Sequence, residues 1–272
     1  MSAAAPPLPA LDTPRAVLLT AVADDELITG HRAQFWTGVA PSLEEDLAFS
    51  TIAQDEVNHA DVWYQVLLGE QATDLRAAVD ALGLGRRPEQ YRHAVLCERP
   101  PGEFAFTLAR HWVYDRFDAV RLHALAESSD ADVAAVARKL AHEERYHLEH
   151  AEHWVRRLAG GGAPAHHRLR EAMAAALAEA DGLFEPLPSE DEIVAAGLLP
   201  VDTDALRHRW LEIVVPLLEQ ADLGDTMPGH LAAAVRPDRP PAGRHGVHTT
   251  DFTEDVWPEM TSLYRAHPGA RW

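Results

Sequence analysis

Four long segments of the chain repeat their apolar residues at helical spacing, and no other feature limits the fold so strongly. The segments run from Pro14 to about Trp36, Ser42 to Gly69, Gly102 to Glu127 and Asp130 to Ala159. Thr13 before Pro14 is typical of a helix start, and Ser42 with Glu45 has the spacing of a capping box. Because no stretch shows the regular alternation of a strand, the sequence predicts an all-α fold.

Short loops join the first segment to the second and the third to the fourth, which predicts two antiparallel helical hairpins and a four-helix core. Shorter helices are predicted from Leu75 to Leu84, Pro164 to Gly182, Ser189 to Gly197, Thr203 to about Asp222 and Asp251 to about Ala266, with a loop over residues 85–101. We therefore expect a flexible tail over residues 1–13, one helical bundle domain over residues 14–222, and a Pro/Gly-rich arm with a short helix over residues 223–272 that packs on the same domain.

Net charge, cysteine content and the length of the apolar runs each exclude a class of function. The formal net charge of −19 would repel nucleic acid and anionic lipid. The single cysteine, Cys97, can form neither an intramolecular disulfide nor a thiolate metal site. No apolar run is long enough for a membrane span, and the first residues lack the basic and apolar regions of a secretory signal. We expect a soluble, cytoplasmic protein that binds neither nucleic acid nor membranes.

Two Glu-x-x-His motifs lie in the second and fourth segments, Glu56 with His59 and Glu144 with His147. The i, i+3 spacing places both side chains of a motif on one face of a helix, about one turn apart. Each pair could therefore bind one metal ion or cluster.

The positions of these motifs along the predicted hairpins strengthen the prediction of a metal site. Antiparallel helices bring residues equidistant from the turn to the same height, and position 41 in the first turn is midway between Glu26 and Glu56. The second turn likewise lies midway between Asp115 and Glu144, although Asp25 could replace Glu26 and Asp118 could replace Asp115. This gives six candidate metal ligands: Glu26, Glu56, His59, Asp115, Glu144 and His147.

One carboxylate from each of two helices and a Glu-x-x-His pair from each of two others is the ligand set of di-iron and di-manganese carboxylate bundles. Carboxylate oxygens with two imidazoles suit iron or manganese, and open coordination positions would admit O₂. The alternative is that basic side chains neutralise the carboxylates and form a salt-bridged core. The candidates are Arg32, Arg116, Arg121, Arg138, Lys139 and Arg145.

The segments ADDELITGHRAQFW, IAQDEVNHADVWY, LAHEERYHLEHAEHWVRRLAGG and GRHGVHTTDF resemble the phenylacetic acid catabolic proteins, over about residues 15–272. The resemblance implies a ferritin-like four-helix bundle and a place in a soluble multicomponent monooxygenase. In that enzyme the di-iron site lies in an A-type subunit, which converts phenylacetyl-CoA to its 1,2-epoxide, while a reductase supplies electrons from NADPH. The chain is most similar to the C-type members, which support the A-type subunit and are regarded as non-catalytic.

Many C-type members carry Leu and Gln where this chain has Glu56 and His59, whereas both Glu-x-x-His pairs are intact here. Two functions therefore follow from the resemblance. In the first, the chain is a supporting subunit that pairs with the A-type subunit, other subunits and a reductase, with homodimer formation also considered. In the second, it is a di-iron oxygenase or peroxidase in its own right.

Candidate patches for the coenzyme A phosphates are Arg86/Arg87, Arg156/Arg157 and Arg168/Arg170.

Overall fold

A computed structural model describes residues 7–69, 72–233, 239–267 and 270 of the chain. Every regular element within these ranges is helical, which confirms the all-α, ferritin-like fold class. No helix in this part of the chain combines the length and apolarity that crossing a membrane requires. Of the predicted N-terminal tail, residues 1–6 lie outside the described residues, as do residues 234–238, 268–269 and 271–272 of the predicted arm.

The described α-helices follow one another in chain order as α1 (Pro14–Ala33), α2 (Leu43–Leu68), α3 (Leu75–Leu84), α4 (Val95–Glu98), α5 (Phe104–Leu125), α6 (Ala131–Ala159), α7 (Ala163–Glu179), α8 (Glu190–Ala195), α9 (Thr203–Gln220), α10 (Gly229–Ala232) and α11 (Trp257–Ala266). The four long predicted segments correspond to α1, α2, α5 and α6. The predicted loop over residues 85–101 instead contains α4, and one π-helical segment, Asp251–Val256, precedes α11.

The helices begin where their capping residues lie. The Thr13 side chain accepts a hydrogen bond from the Ala16 amide at 3.3 Å, and Pro14 occupies the first turn of α1. Asp130 accepts from the amides of Asp132 and Val133 at 3.0 and 3.2 Å and caps α6. These side chains satisfy backbone donors that have no partner inside the helix, which is why the predicted starts were accurate.

The chain forms two compact units. The first unit comprises residues 1–100, 187–193 and 241–272, and the second comprises residues 101–186 and 194–240. The predicted division into a tail, one domain and an arm stays a prediction.

In the first unit, α1 packs antiparallel against α2, and α4 and the π-helical segment also contact α1. Almost every residue of α1 is buried, including three consecutive acids, Asp24, Asp25 and Glu26. Each of them therefore needs a compensating partner.

In the second unit, α5 packs against α6, α7 and α9 and is buried along most of its length. The turn between α5 and α6 is held by the Ser129 amide, which donates to the Gly197 carbonyl at 2.8 Å. This unit positions Asp115 on α5 and the second Glu-x-x-His pair on α6.

Candidate functional site

The first unit brings together three of the six predicted metal ligands. Glu26 on α1 and Glu56 and His59 on α2 are at most 2% exposed. One ligand atom from each lies within 4.8 Å of those of the other two. The i, i+3 spacing on α2 and the antiparallel register of α1 thus produce the predicted half-set of two carboxylates and one imidazole.

Asp25, the predicted alternative to Glu26, has other partners. Its Oδ1 accepts hydrogen bonds from the Ala94 amide and from Arg244 Nη1, both at 2.8 Å. Because successive residues of a helix point about 100° apart, Asp25 faces the segments around residues 94 and 244 while Glu26 faces α2. The structure thus distinguishes Asp25 from Glu26, between which the sequence did not decide.

Asp24 has partners different from those of Asp25 and Glu26, namely Arg86 and Tyr64. The contact with Arg86 corrects a prediction about that residue. The guanidinium of Arg86 donates from Nη1 to Asp24 Oδ2 at 3.0 Å, and Tyr64 donates to Asp24 Oδ1 at 2.5 Å. Burial, with the adjacent Asp24 carboxylate, raises the pKa of Tyr64 well above its usual value. Arg86 is only 1% exposed, so its proposed role in a phosphate-binding patch is wrong.

The second unit holds the other three predicted ligands on α5 and α6. Glu144 and His147 are buried, with Glu144 Oε2 lying 3.0 Å from His147 Nδ1. Asp115 is 3% exposed, and its Oδ1 lies 3.9 Å from Nδ1 of His111. Its alternative, Asp118, accepts a hydrogen bond from Arg121 Nε at 2.9 Å. Asp118 therefore belongs to an ion pair, whereas Asp115 lies beside an imidazole.

His111 is a buried residue of this region that the sequence argument did not single out. Desolvation lowers its pKa well below the usual value, and the neighbouring Arg110, His147 and His150 lower it further, while Glu144 opposes the shift. A neutral imidazole is the form that binds metals. The i, i+4 spacing from His111 to Asp115 was the signal that could have identified it.

The basic side chains considered for a salt-bridged core bind elsewhere. Arg32 contacts Asp255 at 2.6 Å and the Glu98 carbonyl, and Arg121 pairs with Asp118. The remaining pairs are Arg116 with Glu152, Arg138 with the Ala126 carbonyl, Lys139 with Glu143 and Arg145 with Glu149. These contacts are made to groups other than the six predicted ligands, although the Asp115 carboxylate also attracts the Arg116 guanidinium electrostatically.

A second buried His/Glu group lies in the first unit, where His93, Glu98 and His248 bring their ligand atoms within 4.8 Å of one another. Glu98 Oε2 lies 2.8 Å from His93 Nε2 and 3.2 Å from His248 Nδ1. The two imidazole rings stack 4.1 Å apart and 14° from parallel. An ion in the plane of one ring would lie outside the plane of the other, so this geometry favours hydrogen bonding over metal binding.

The hydrogen bonds of this group join distant parts of the sequence. His248 Nε2 lies 3.1 Å from the Tyr91 carbonyl, and Glu98 Oε1 accepts from the Thr249 amide at 2.9 Å. Both ring nitrogens of His248 therefore face oxygen atoms, those of Glu98 and Tyr91. The group therefore connects residues 91–98 to the segment that contains His248 and Thr249. We call His93, Glu98 and His248 together the clasp.

The fold and these side chains define an all-α protein of the ferritin-like class with buried carboxylate and histidine side chains on its long helices. The sequence matches the phenylacetic acid catabolic protein family over residues 3–272, and the chain therefore belongs to this family. It is 29% identical over 257 residues to the C subunit of 1,2-phenylacetyl-CoA epoxidase from Escherichia coli (strain K12), in an alignment that covers 92% of this chain and 95% of that relative.

Proposed function

We propose that the chain is the C-type supporting subunit of a cytoplasmic, multicomponent phenylacetyl-CoA 1,2-epoxidase that acts in aerobic phenylacetate catabolism. The observation that carries this proposal is the near full-length similarity to the C-type relative from Escherichia coli, together with the family match over almost all residues. The chain's main work is then to pair with an A-type catalytic subunit. That subunit holds iron and receives NADPH-derived electrons from a reductase.

Co-expression with an A-type subunit from the same organism tests this proposal. We expect the two chains to co-purify and the pair, supplied with reductase and NADPH, to oxidise phenylacetyl-CoA faster than the A-type subunit alone. A chain that purifies alone, with full activity of the remaining complex in its absence, would refute the proposal.

A second function is favoured by the buried ligands, namely that this chain itself binds a di-iron centre. Glu26, Glu56 and His59 fit one half of such a site, because a cation bound between two buried carboxylates that lie close together offsets their repulsion. Asp115, Glu144 and His147 supply the same residue types on α5 and α6. The assignment of all six to one centre rests on their matched spacing from the two hairpin turns.

Bound iron would supply O₂ or peroxide activation. The chain's own residues would hold it through four carboxylates and two imidazoles. Their burial keeps bulk water away and strengthens each electrostatic contact. The chain would then act as an oxygenase or peroxidase in its own right.

Metal analysis of chain purified from iron-supplemented cells tests this second function. We expect about two irons per chain, as in di-iron carboxylate bundles. Glu56→Gln and Glu144→Gln should each lower the iron content without unfolding the protein, whereas Glu44→Gln, at an exposed position of α2, should leave it unchanged. An iron-free wild-type chain would exclude the second function and leave the first unaffected.

A further inference from the structure

Apolar side chains are exposed around the turn between α1 and α2. Of the ten large apolar residues exposed in the described part of the chain, five lie between positions 35 and 57. They are Phe35, Val39, Leu43, Leu47 and Val57, with exposures from 43% to 72%. Scattered exposed apolar residues are ordinary, whereas contiguous ones mark interaction sites, and Leu43 and Leu47 lie one helical turn apart on α2. A hollow lies farther along α2, with Val57 among its lining residues. We call the five exposed residues together with this hollow the α1–α2 surface.

The hollow has a volume of about 450 Å³, and every residue lining it is uncharged. Gly30 and Ala53 are small residues at its lining, while Gln34, Ser50, Gln54 and Asn58 supply hydroxyl and amide groups. In a chain with 25% charged residues and a net charge of −19, a hollow lined only by uncharged residues is a marked local departure. Protein interfaces have this composition, with charged residues depleted at their centres.

The backbone that carries the surface is already fixed. Thr37 Oγ1 lies 2.9 Å from Ser50 Oγ, and the Gly38 amide donates to Asp46 Oδ2 at 2.6 Å. Below the turn, the buried Trp36 ring lies 6.3 Å from that of Phe49. Such a surface loses little conformational entropy when a partner binds, because its loop needs no ordering.

The surroundings of the surface indicate the charge of the partner. Glu44, which is exposed, and Glu45, which is half-buried, lie on α2 beside Leu43 and Leu47. In a two-fold pair of this chain, each copy would bring the same acidic flank and the same net charge of −19 to the contact. A different partner, with Lys or Arg at the edge of its contact, would be attracted instead.

We propose that the α1–α2 surface is the docking face for the A-type catalytic subunit, which meets it with an apolar segment flanked by basic residues. This inference rests on the proposed supporting function. Leu43 and Leu47, one turn apart on α2, form the apolar ridge, and the hollow farther along α2, which Val57 lines, receives side chains of the partner.

The test measures the affinity between the purified chain and the purified A-type subunit by isothermal titration calorimetry. The variant carrying both Leu43→Glu and Leu47→Glu should bind about 30-fold more weakly or worse, the loss typical of central interface residues. Leu263→Glu is the matched control, because Leu263 is 54% exposed on α11, outside the α1–α2 surface, and should bind as the wild type does. Both substitutions lie on exposed helical positions, and circular dichroism with thermal melting verifies folding.

A charge variant tests the predicted chemistry of the partner. Glu44→Lys should weaken binding at low salt and reduce its dependence on ionic strength, because an attraction is replaced by repulsion.

Each outcome of the titration has one meaning. Equal affinity of the wild type and the Leu43/Leu47 double variant would overturn the docking face while the supporting function stands. Failure of the wild type to bind the A-type subunit would refute the supporting function itself. Should the double variant instead only convert a dimer of this chain into a monomer, the occupant is a second copy and the proposal is wrong.

Discussion

The backbone of Gly30 on α1 lies directly against the side chain of Glu56 on α2. A Cβ atom added at position 30 would lie 2.8 Å from the Glu56 Cβ and 3.0 Å from the Ala53 carbonyl oxygen. Glycine therefore sets how closely the two helices approach. Since Glu26 lies one helical turn before Gly30, the same approach brings Glu26 to the Glu-x-x-His pair.

Substitution of Gly30 by alanine should force α1 and α2 apart. We expect Gly30→Ala to lower the free energy of unfolding by about 1–3 kcal/mol, as overpacking does, measured by urea denaturation. Gly83→Ala is the control, because its added Cβ would meet its nearest atoms at 3.6 and 3.8 Å, an ordinary contact. This control should stabilise the protein by up to about 1 kcal/mol, since alanine favours a helix. Equal effects of the two variants would contradict the close-approach argument.

The buried ion pair of Asp24 and Arg86 should contribute far more to stability than an exposed pair. Both side chains are 0% exposed, so Asp24→Asn leaves a buried guanidinium without its counter-charge and should cost about 3–5 kcal/mol in chemical denaturation. Asp61 pairs with Arg76, which is 62% exposed, and Asp61→Asn should cost about 0–1 kcal/mol. A loss at Asp24 as small as that at Asp61 would argue against the pair.

Substitution of Asp115 should mainly affect the iron content of the protein, whereas substitution of Asp118 should mainly affect its thermal stability. Asp118→Asn weakens the ion pair with Arg121 and should lower thermal stability while the iron content is unchanged. Asp115→Asn should lower the iron content with a smaller change in stability. Metal analysis and thermal melting of both variants decide between the two acids, and a loss of iron only in Asp118→Asn would reverse the assignment.

The clasp of His93, Glu98 and His248 should make the protein sensitive to acid. Burial, with the nearby His248, lowers the pKa of His93 from 6.5 to about 4, although Glu98 opposes the shift. Burial alone would raise the pKa of Glu98, but hydrogen bonds from His248, His93 and Thr249 outweigh it and lower that pKa. The unfolded chain therefore binds more protons, and stability should fall as the pH decreases from 6.5 towards about 4.

His93→Gln tests this linkage, because glutamine can still donate to Glu98 but does not titrate. We expect the melting temperature of this variant to change less than that of the wild type between pH 6.5 and about 4. The control, His167→Gln, replaces a histidine that is 68% exposed and should follow the wild type. Parallel curves for all three proteins would show that His93 does not carry the effect.

Local signals in the sequence predicted the long helices well. Thr13 and Ser42 cap helices at the predicted positions, because capping depends on residues only two or three positions away. The helix α4, with four residues, is too short to show a periodicity and was predicted as loop. The π-helical start of the last helix likewise has no spacing signal that distinguishes it from an α-helix.

The candidate site was predictable in its residue types but not in its partners. Helical spacing predicted that Glu26 would lie with Glu56 and His59, yet nothing nearby in the sequence separates Asp24, Asp25 and Glu26. Their roles differ because their partners come from positions far along the chain: Arg86 is 62 residues from Asp24, and Arg244 is 219 residues from Asp25. Pairings at such separations depend on tertiary packing, which is also why Arg86 was mistaken for a surface residue.

The hydrogen bond from Arg244 to Asp25 bears on how expression variants should be designed. By composition, the region after residue 222 resembles a dispensable tail, a natural place for trimming or for inserting a cleavage site. Removal of residues 241–272 would nevertheless strip Asp25 of its cation and Glu98 of two donors, so the shortened protein should behave as if its core had been mutated.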